Sequence, residues 1–132
     1  MIESSSTVIL VVDGDVLVRH GISDYLRDCG YRVVEASNTD EAKVVLEDTS
    51  MHIAAVLCDA EAPGSLSPFR LRSWATERRH DVQIALAGNI EVAANKAAEL
   101  CEQGPHLARP YDPQSVVDYI KRLISAAARD RS

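Results

Sequence analysis

Short continuous apolar runs alternate along this chain with segments whose apolar residues recur every three or four positions. Thr7 to Val12 (TVILVV) is apolar almost throughout and rich in β-branched residues, the pattern of a strand buried on both faces. It ends at Asp13-Gly14-Asp15. From Val18 the period becomes helical, with Val18, Ile22, Tyr25, Leu26 and Cys29 on one face and Gly30 as a stop. Tyr31 to Ala36 reads as a second strand. Asn38, with Glu41 three residues on, is close to a capping box for a second helix whose inner face is Ala42, Val45 and Leu46.

Ile53 to Cys58 is a third strand, again fully apolar, and it ends at Asp59. Pro63, Gly64 and Ser65 mark a loop. Ser67-Pro68 supplies a cap and a first-turn proline for a third helix that buries Leu71, Trp74 and Ala75. Val82 to Ala87 is a fourth strand, broken by Gly88-Asn89, and Glu91 to Cys101 is an alanine-rich helix ended by Gly104 and Pro105. His106 to Ala108 reads as a short fifth strand. Asp112-Pro113 caps and starts a last helix striped by Val116, Val117, Ile120, Leu123 and Ile124, and the tail from 126 to 132 is expected to fray.

Five strand–helix pairs in strict alternation predict a parallel sheet covered by helices on both faces. With right-handed crossovers this is a flavodoxin-like three-layer α/β/α fold, its five strands in the order 2-1-3-4-5. One domain is expected over 1–132, with a core from about residue 7 to 125 and flexible termini.

Composition narrows the reading. The chain has 132 residues, 46% hydrophobic and 26% charged, as one soluble domain requires. Its net charge of −6 argues against a nucleic-acid partner, which would need clustered Lys and Arg. Cys29, Cys58 and Cys101 are odd in number and lack paired spacing, which predicts reduced thiols in a cytoplasmic protein, with Cys58 in the core. The opening MIESSST lacks the basic-then-apolar build of a signal peptide, and no apolar stretch approaches the roughly 20 residues of a membrane span.

Candidate chemistry follows from topology. Ligands of an open parallel sheet bind outside the carboxyl ends of its strands, where strand order reverses. Asp13 ends the first strand and Asp59 the third, so both acids face one rim, and Arg109 leaves the fifth strand on the same rim. Two close carboxylates relieve their repulsion by sharing a cation, and oxygen-only ligands select Mg2+ or Ca2+. A carboxylate beside such a cation and a fixed positive side chain can accept a phosphoryl group. The plainer reading makes each Asp a helix cap or turn residue.

Three segments, VILVVDGD, VLCDAEAPG and LARPYDP, resemble the signatures of response-regulator receiver domains from two-component signalling, and the resemblance runs from about Val8 to Leu123. It implies that Asp59 takes phosphate from a histidine kinase or phosphotransfer protein. It implies Mg2+ held by Asp13, Asp59 and the backbone carbonyl of Glu61, and a phosphoryl contact from Arg109, where the family has Lys. It also implies a downstream protein partner on the face of the fourth helix, fifth strand and fifth helix, near Tyr111, with a second copy of the chain as a further candidate partner. His106 matches the position of an aromatic switch residue.

The departures from the family are specific. Gly14 replaces a metal-binding acid, and Asp15, one residue on, is the candidate substitute. Ala87 replaces the Thr or Ser that bonds a phosphoryl oxygen. Together they point to weakened switching, or to a pseudo-receiver that binds partners without phosphorylation. Asp13-Gly14-Asp15 also resembles the first motif of haloacid-dehalogenase-type phosphatases, with Asp13 as nucleophile and Asp15 as general acid. Leu17 and Ala87 depart from that pattern.

Overall fold

A computed structural model describes residues 7–103 and 112–130. The described elements are β1 (Val8–Val12), α1 (Val16–Asp28), β2 (Arg32–Ala36), α2 (Thr39–Glu47), β3 (Ile53–Asp59), α3 (Pro68–Arg78), β4 (Gln83–Ala87), α4 (Ile90–Gln103) and α5 (Pro113–Asp130). The strands form a parallel sheet in the order β2-β1-β3-β4. This is the expected order as far as β4, and the fifth strand expected at His106 to Ala108 lies outside the described residues.

Helices begin where local chemistry satisfies their first amides. Asp15 Oδ1 accepts from the Leu17 and Val18 amides, Asn38 Oδ1 from Glu41 and Ser67 Oγ from Arg70. Each such cap is worth about 1 kcal/mol. The box at α2 differs from the usual form, because Glu41 reaches back to the Ser37 amide (2.7 Å) rather than to that of Asn38. Gly30 takes a φ of 104° and turns the chain after α1. Helix α5 continues into the tail as far as Asp130.

Two apolar layers sandwich the sheet. Ile9, Val11, Ala55 and Leu57 meet α1, α4 and α5, while Val8, Leu10, Val12, Val56 and Cys58 meet α2 and α3. A side chain such as Ile9 or Leu10, fully buried, contributes roughly 1.5–3 kcal/mol. A register shift between Val8 and Ile9 against β3 absorbs one extra residue, so Val12 and Cys58 end in register. Alternation past those two residues therefore sends positions 13 and 59 to the α1/α4/α5 side together.

The expectation of three reduced thiols is corrected. Cys29 and Cys101 form a disulfide across 72 residues, and Cys58 alone is free, buried as expected. Spacing rules read local motifs, whereas here two helix ends meet in space. No helix of the described residues is long and apolar enough to cross a membrane.

Candidate functional site

The carboxyl ends of β1, β3 and β4 open into a crevice of about 280 Å³, lined by Asp13, Asp15, Arg19, Asp59, Glu61 and Ala87 among others. The topology thus brings both strand-end acids to one place. The Asp13 amide donates to Ala36 O at 3.0 Å, holding the end of β1 against β2. Its Oδ1 accepts from the Asp15 amide at 2.9 Å. Asp59 pairs with Ala87 in the sheet, and its Oδ1 accepts from the Glu61 amide at 3.2 Å. Both acids therefore close the same kind of Asx turn beyond their strands.

Burial is the main force that pushes the Asp13 carboxyl up to about 6. The bond from the Asp15 amide opposes it, the nearby charges of Asp59 and Asp15 add to it, and Arg19 pulls it down. An acid so placed holds its charge reluctantly at neutral pH, which is the condition a cation relieves. Cys58, beneath the same rim, has its thiol pushed up to about 12 by burial and then by Asp59 and Asp13, so it is no nucleophile.

Arg19 is the residue that the strand-end reading missed. Its Nη1 donates to Asp13 O at 2.9 Å and its Nε to Glu35 Oε1 at 3.1 Å, with only 16% of the side chain exposed. Its signal was its place one helical turn after the capping Asp15, on the side facing the sheet. Arg109, His106 and Tyr111 lie outside the described residues.

Among the described residues, no group of three or more His, Cys, Asp or Glu side chains is placed to hold a metal ion. Asp13 and Asp59 bring two carboxylates to the crevice from the strand ends, and Glu61 lines it beside them. Carboxylate oxygens of this kind suit a hard divalent cation. The Asp15 carboxylate lines the crevice but is turned onto the first turn of α1.

No family model matches the chain. Its architecture aligns with a crystal structure of a CheY-like response regulator receiver domain protein from Methanospirillum hungatei, at a TM-score of 0.58 and 18% identity, covering 94% of this chain and 98% of that one. The fold is that of a response-regulator receiver domain. Sequence similarity points the same way. The transcriptional regulatory protein ResD of Bacillus subtilis is 26% identical over 129 residues, which is 98% of this chain. The two-component response regulator-like protein APRR7 of Arabidopsis thaliana is 44% identical over 55 residues. The chain spans about half the length of ResD, 52%, and 8% of APRR7.

Within this receiver fold, the departures at positions 14 and 87 have physical settings. A Cβ added to Gly14 would lie 2.9 Å from Pro63 Cδ, so Pro63 fills the space a side chain there would need. The loop bearing Pro63 is fastened to the start of α2. Thr39 N donates to Pro63 O, Thr39 Oγ1 donates to Leu66 O, and Ser65 bonds Asp40 through both its amide and its hydroxyl. Ala87 is buried and presents only a methyl group to the crevice, while its carbonyl accepts from the Ala60 amide at 2.8 Å.

Proposed function

We propose that the chain is a receiver module of phosphorelay signalling that accepts a phosphoryl group on Asp59, with a weakened conformational switch. The observation carrying this is that Asp13 and Asp59 line one partly desolvated crevice at the carboxyl ends of adjacent parallel strands. A carboxylate oxygen of Asp59 would attack the phosphorus of a phosphohistidine on a histidine kinase or phosphotransfer protein. The P–N bond breaks, an acyl phosphate forms, and the imidazole leaves with its electron pair and takes up a proton. Mg2+, when bound by Asp13, Asp59 and the Glu61 carbonyl, supplies charge neutralisation for the phosphoryl oxygens. Arg19 fixes the backbone of Asp13, and Arg109 is the proposed phosphoryl contact in the Lys position.

The weakening follows from Ala87 and Gly14. Ala87 has no hydroxyl with which to bond the phosphoryl group, so the turn after β4 gains little from moving inward. With Gly14 under Pro63 the metal set lacks an acid, and affinity for such cations follows the number of charged ligands. That same closure favours a second reading, a pseudo-receiver that engages partners through α4 and α5 without phosphorylation. In either case the partner is a protein.

Acetyl phosphate with Mg2+ tests the reading. Intact-mass measurement should find one phosphoryl group on the wild type and none on Asp59→Asn. An unmodified wild type contradicts phosphoacceptance and leaves the pseudo-receiver.

A further inference from the structure

The geometry points to the Cys29–Cys101 pair as a thiol–disulfide exchange site that fixes the two helical walls of the acidic crevice against each other. Cys29 is the C-cap of α1 and Cys101 lies in the last turn of α4, with Cα atoms 5.6 Å apart. The same two helices wall the crevice at their other ends: Val18, Arg19 and Ile22 come from α1, and Ile90 and Ala93 from α4. A covalent tie at one end of a helix pair limits their relative tilt, and so limits opening at the other end.

Both cysteines are buried, each 1% exposed, in the core layer shared by α1, α4 and α5. Burial alone would shield them from a redox partner. Their place in terminal turns changes this, because helix ends open locally at a small fraction of the cost of global unfolding. A second tie spans the same joint. Tyr31, just past Gly30, donates from its hydroxyl to Leu100 O at 2.6 Å. That bond needs no oxidant, so it keeps the two cysteines near each other when reduced, but a single hydrogen bond restrains the helices less than the covalent tie does.

The exchange balances with a low-molecular-weight disulfide such as oxidised glutathione as co-reactant. One cysteine, having lost its proton, attacks that disulfide, whose S–S bond breaks. A mixed disulfide forms and one small thiolate leaves and is protonated. The second cysteine, also deprotonated, attacks the protein sulfur of the mixed disulfide, forming the Cys29–Cys101 bond and releasing the second small thiol. The two cysteines lose two electrons and the small disulfide gains them.

The inference is independent of phosphorylation at Asp59, and its test uses no phosphoryl donor. Wild-type protein is equilibrated with oxidised or reduced glutathione, quenched with acid, and its thiols are counted in denaturant. One free thiol is expected under oxidising conditions and three under reducing conditions. Three thiols in both would overturn the site. Amide hydrogen exchange is then followed on the folded protein. Peptides covering residues 88–103 should exchange faster by about tenfold in the reduced protein, with β1 and β3 unchanged. Cys29→Ser/Cys101→Ser should match the reduced wild type in either buffer, and the reduced wild type itself provides the comparison should that variant not fold. Equal exchange over 88–103 in the oxidised and reduced proteins would contradict control of the crevice wall.

Discussion

Pro63 stands where a side chain on Gly14 would have to be, 2.9 Å from its Cδ and 3.1 Å from its Cγ to the nearest position of a Cβ. Gly14 is thus packed against, and a side chain cannot be added there without displacing Pro63. Gly14→Asp is expected to destabilise the fold by about 1–3 kcal/mol through overpacking, without tightening Mg2+ binding. Gly14→Asp/Pro63→Ala should recover much of the stability and bind Mg2+ more tightly than the wild type. Urea denaturation and Mg2+ titration calorimetry check both halves.

Asp15 is both a cap and a candidate ligand, and two substitutions separate the roles. Asp15→Asn keeps an oxygen for the Leu17 and Val18 amides, so its stability should stay within a few tenths of a kcal/mol, whereas Asp15→Ala should lose about 1 kcal/mol. Were Asp15 mainly a ligand, the Asn variant would lose Mg2+ affinity as fully as the Ala variant. Paired denaturation and Mg2+ titrations decide between them.

Gly21 on α1 faces Ile120 on α5, and an added Cβ would lie 2.6 Å from Ile120 Cγ1. Helix propensity alone favours Gly21→Ala by up to about 1 kcal/mol. Ile120 is fully buried and cannot swing away, so overpacking should dominate and give a net loss of about 1–2 kcal/mol. In a double-mutant cycle, Gly21→Ala/Ile120→Ala should cost less than the sum of the single changes.

Stability should fall as pH rises through the Asp13 titration. Its folded carboxyl is raised from the ordinary value of 3.8 to about 6. The folded state therefore binds the proton more tightly than the unfolded chain. The resulting stability is full below pH 3.8 and is lost as pH climbs through about 6. Asp13 is only half-buried, so solvent screening discounts the loss to about 1 kcal/mol. Asp13→Asn, which can still accept the Asp15 amide, should be more stable than wild type by that amount at pH 7 and no more stable at pH 4. Urea midpoints across this range check it.

Much of this arrangement was readable from the chain. The runs TVILVV and IAAVLC read as strands because nothing in them suits a solvent-facing side, and the acids that follow them, Asp13 and Asp59, fall on one rim. Asn38 and Ser67 cap as their chemistry suggests, since capping is decided within four residues. What escaped is what depends on meetings across the chain. Arg19 reads as an ordinary helix cation until the end of β1 is placed beside it. Pro63 reads as a loop breaker until the turn after β1 is laid under it. Cys29 and Cys101 look unpaired until α1 and α4 are packed side by side.

The Asp13 carboxyl itself offers the most direct test that two acids distant in sequence form one cation-accepting crevice. Its protonation can be followed by carbon-detected NMR of the side-chain carboxyl, with and without Mg2+ and in Asp59→Asn. A midpoint of about 6 is expected in the wild type without Mg2+. A lower midpoint is expected in Asp59→Asn, and a lower one again when Mg2+ is added to the wild type. A wild-type midpoint at the ordinary Asp value, unmoved by Mg2+ or by the loss of the Asp59 charge, would contradict such a crevice.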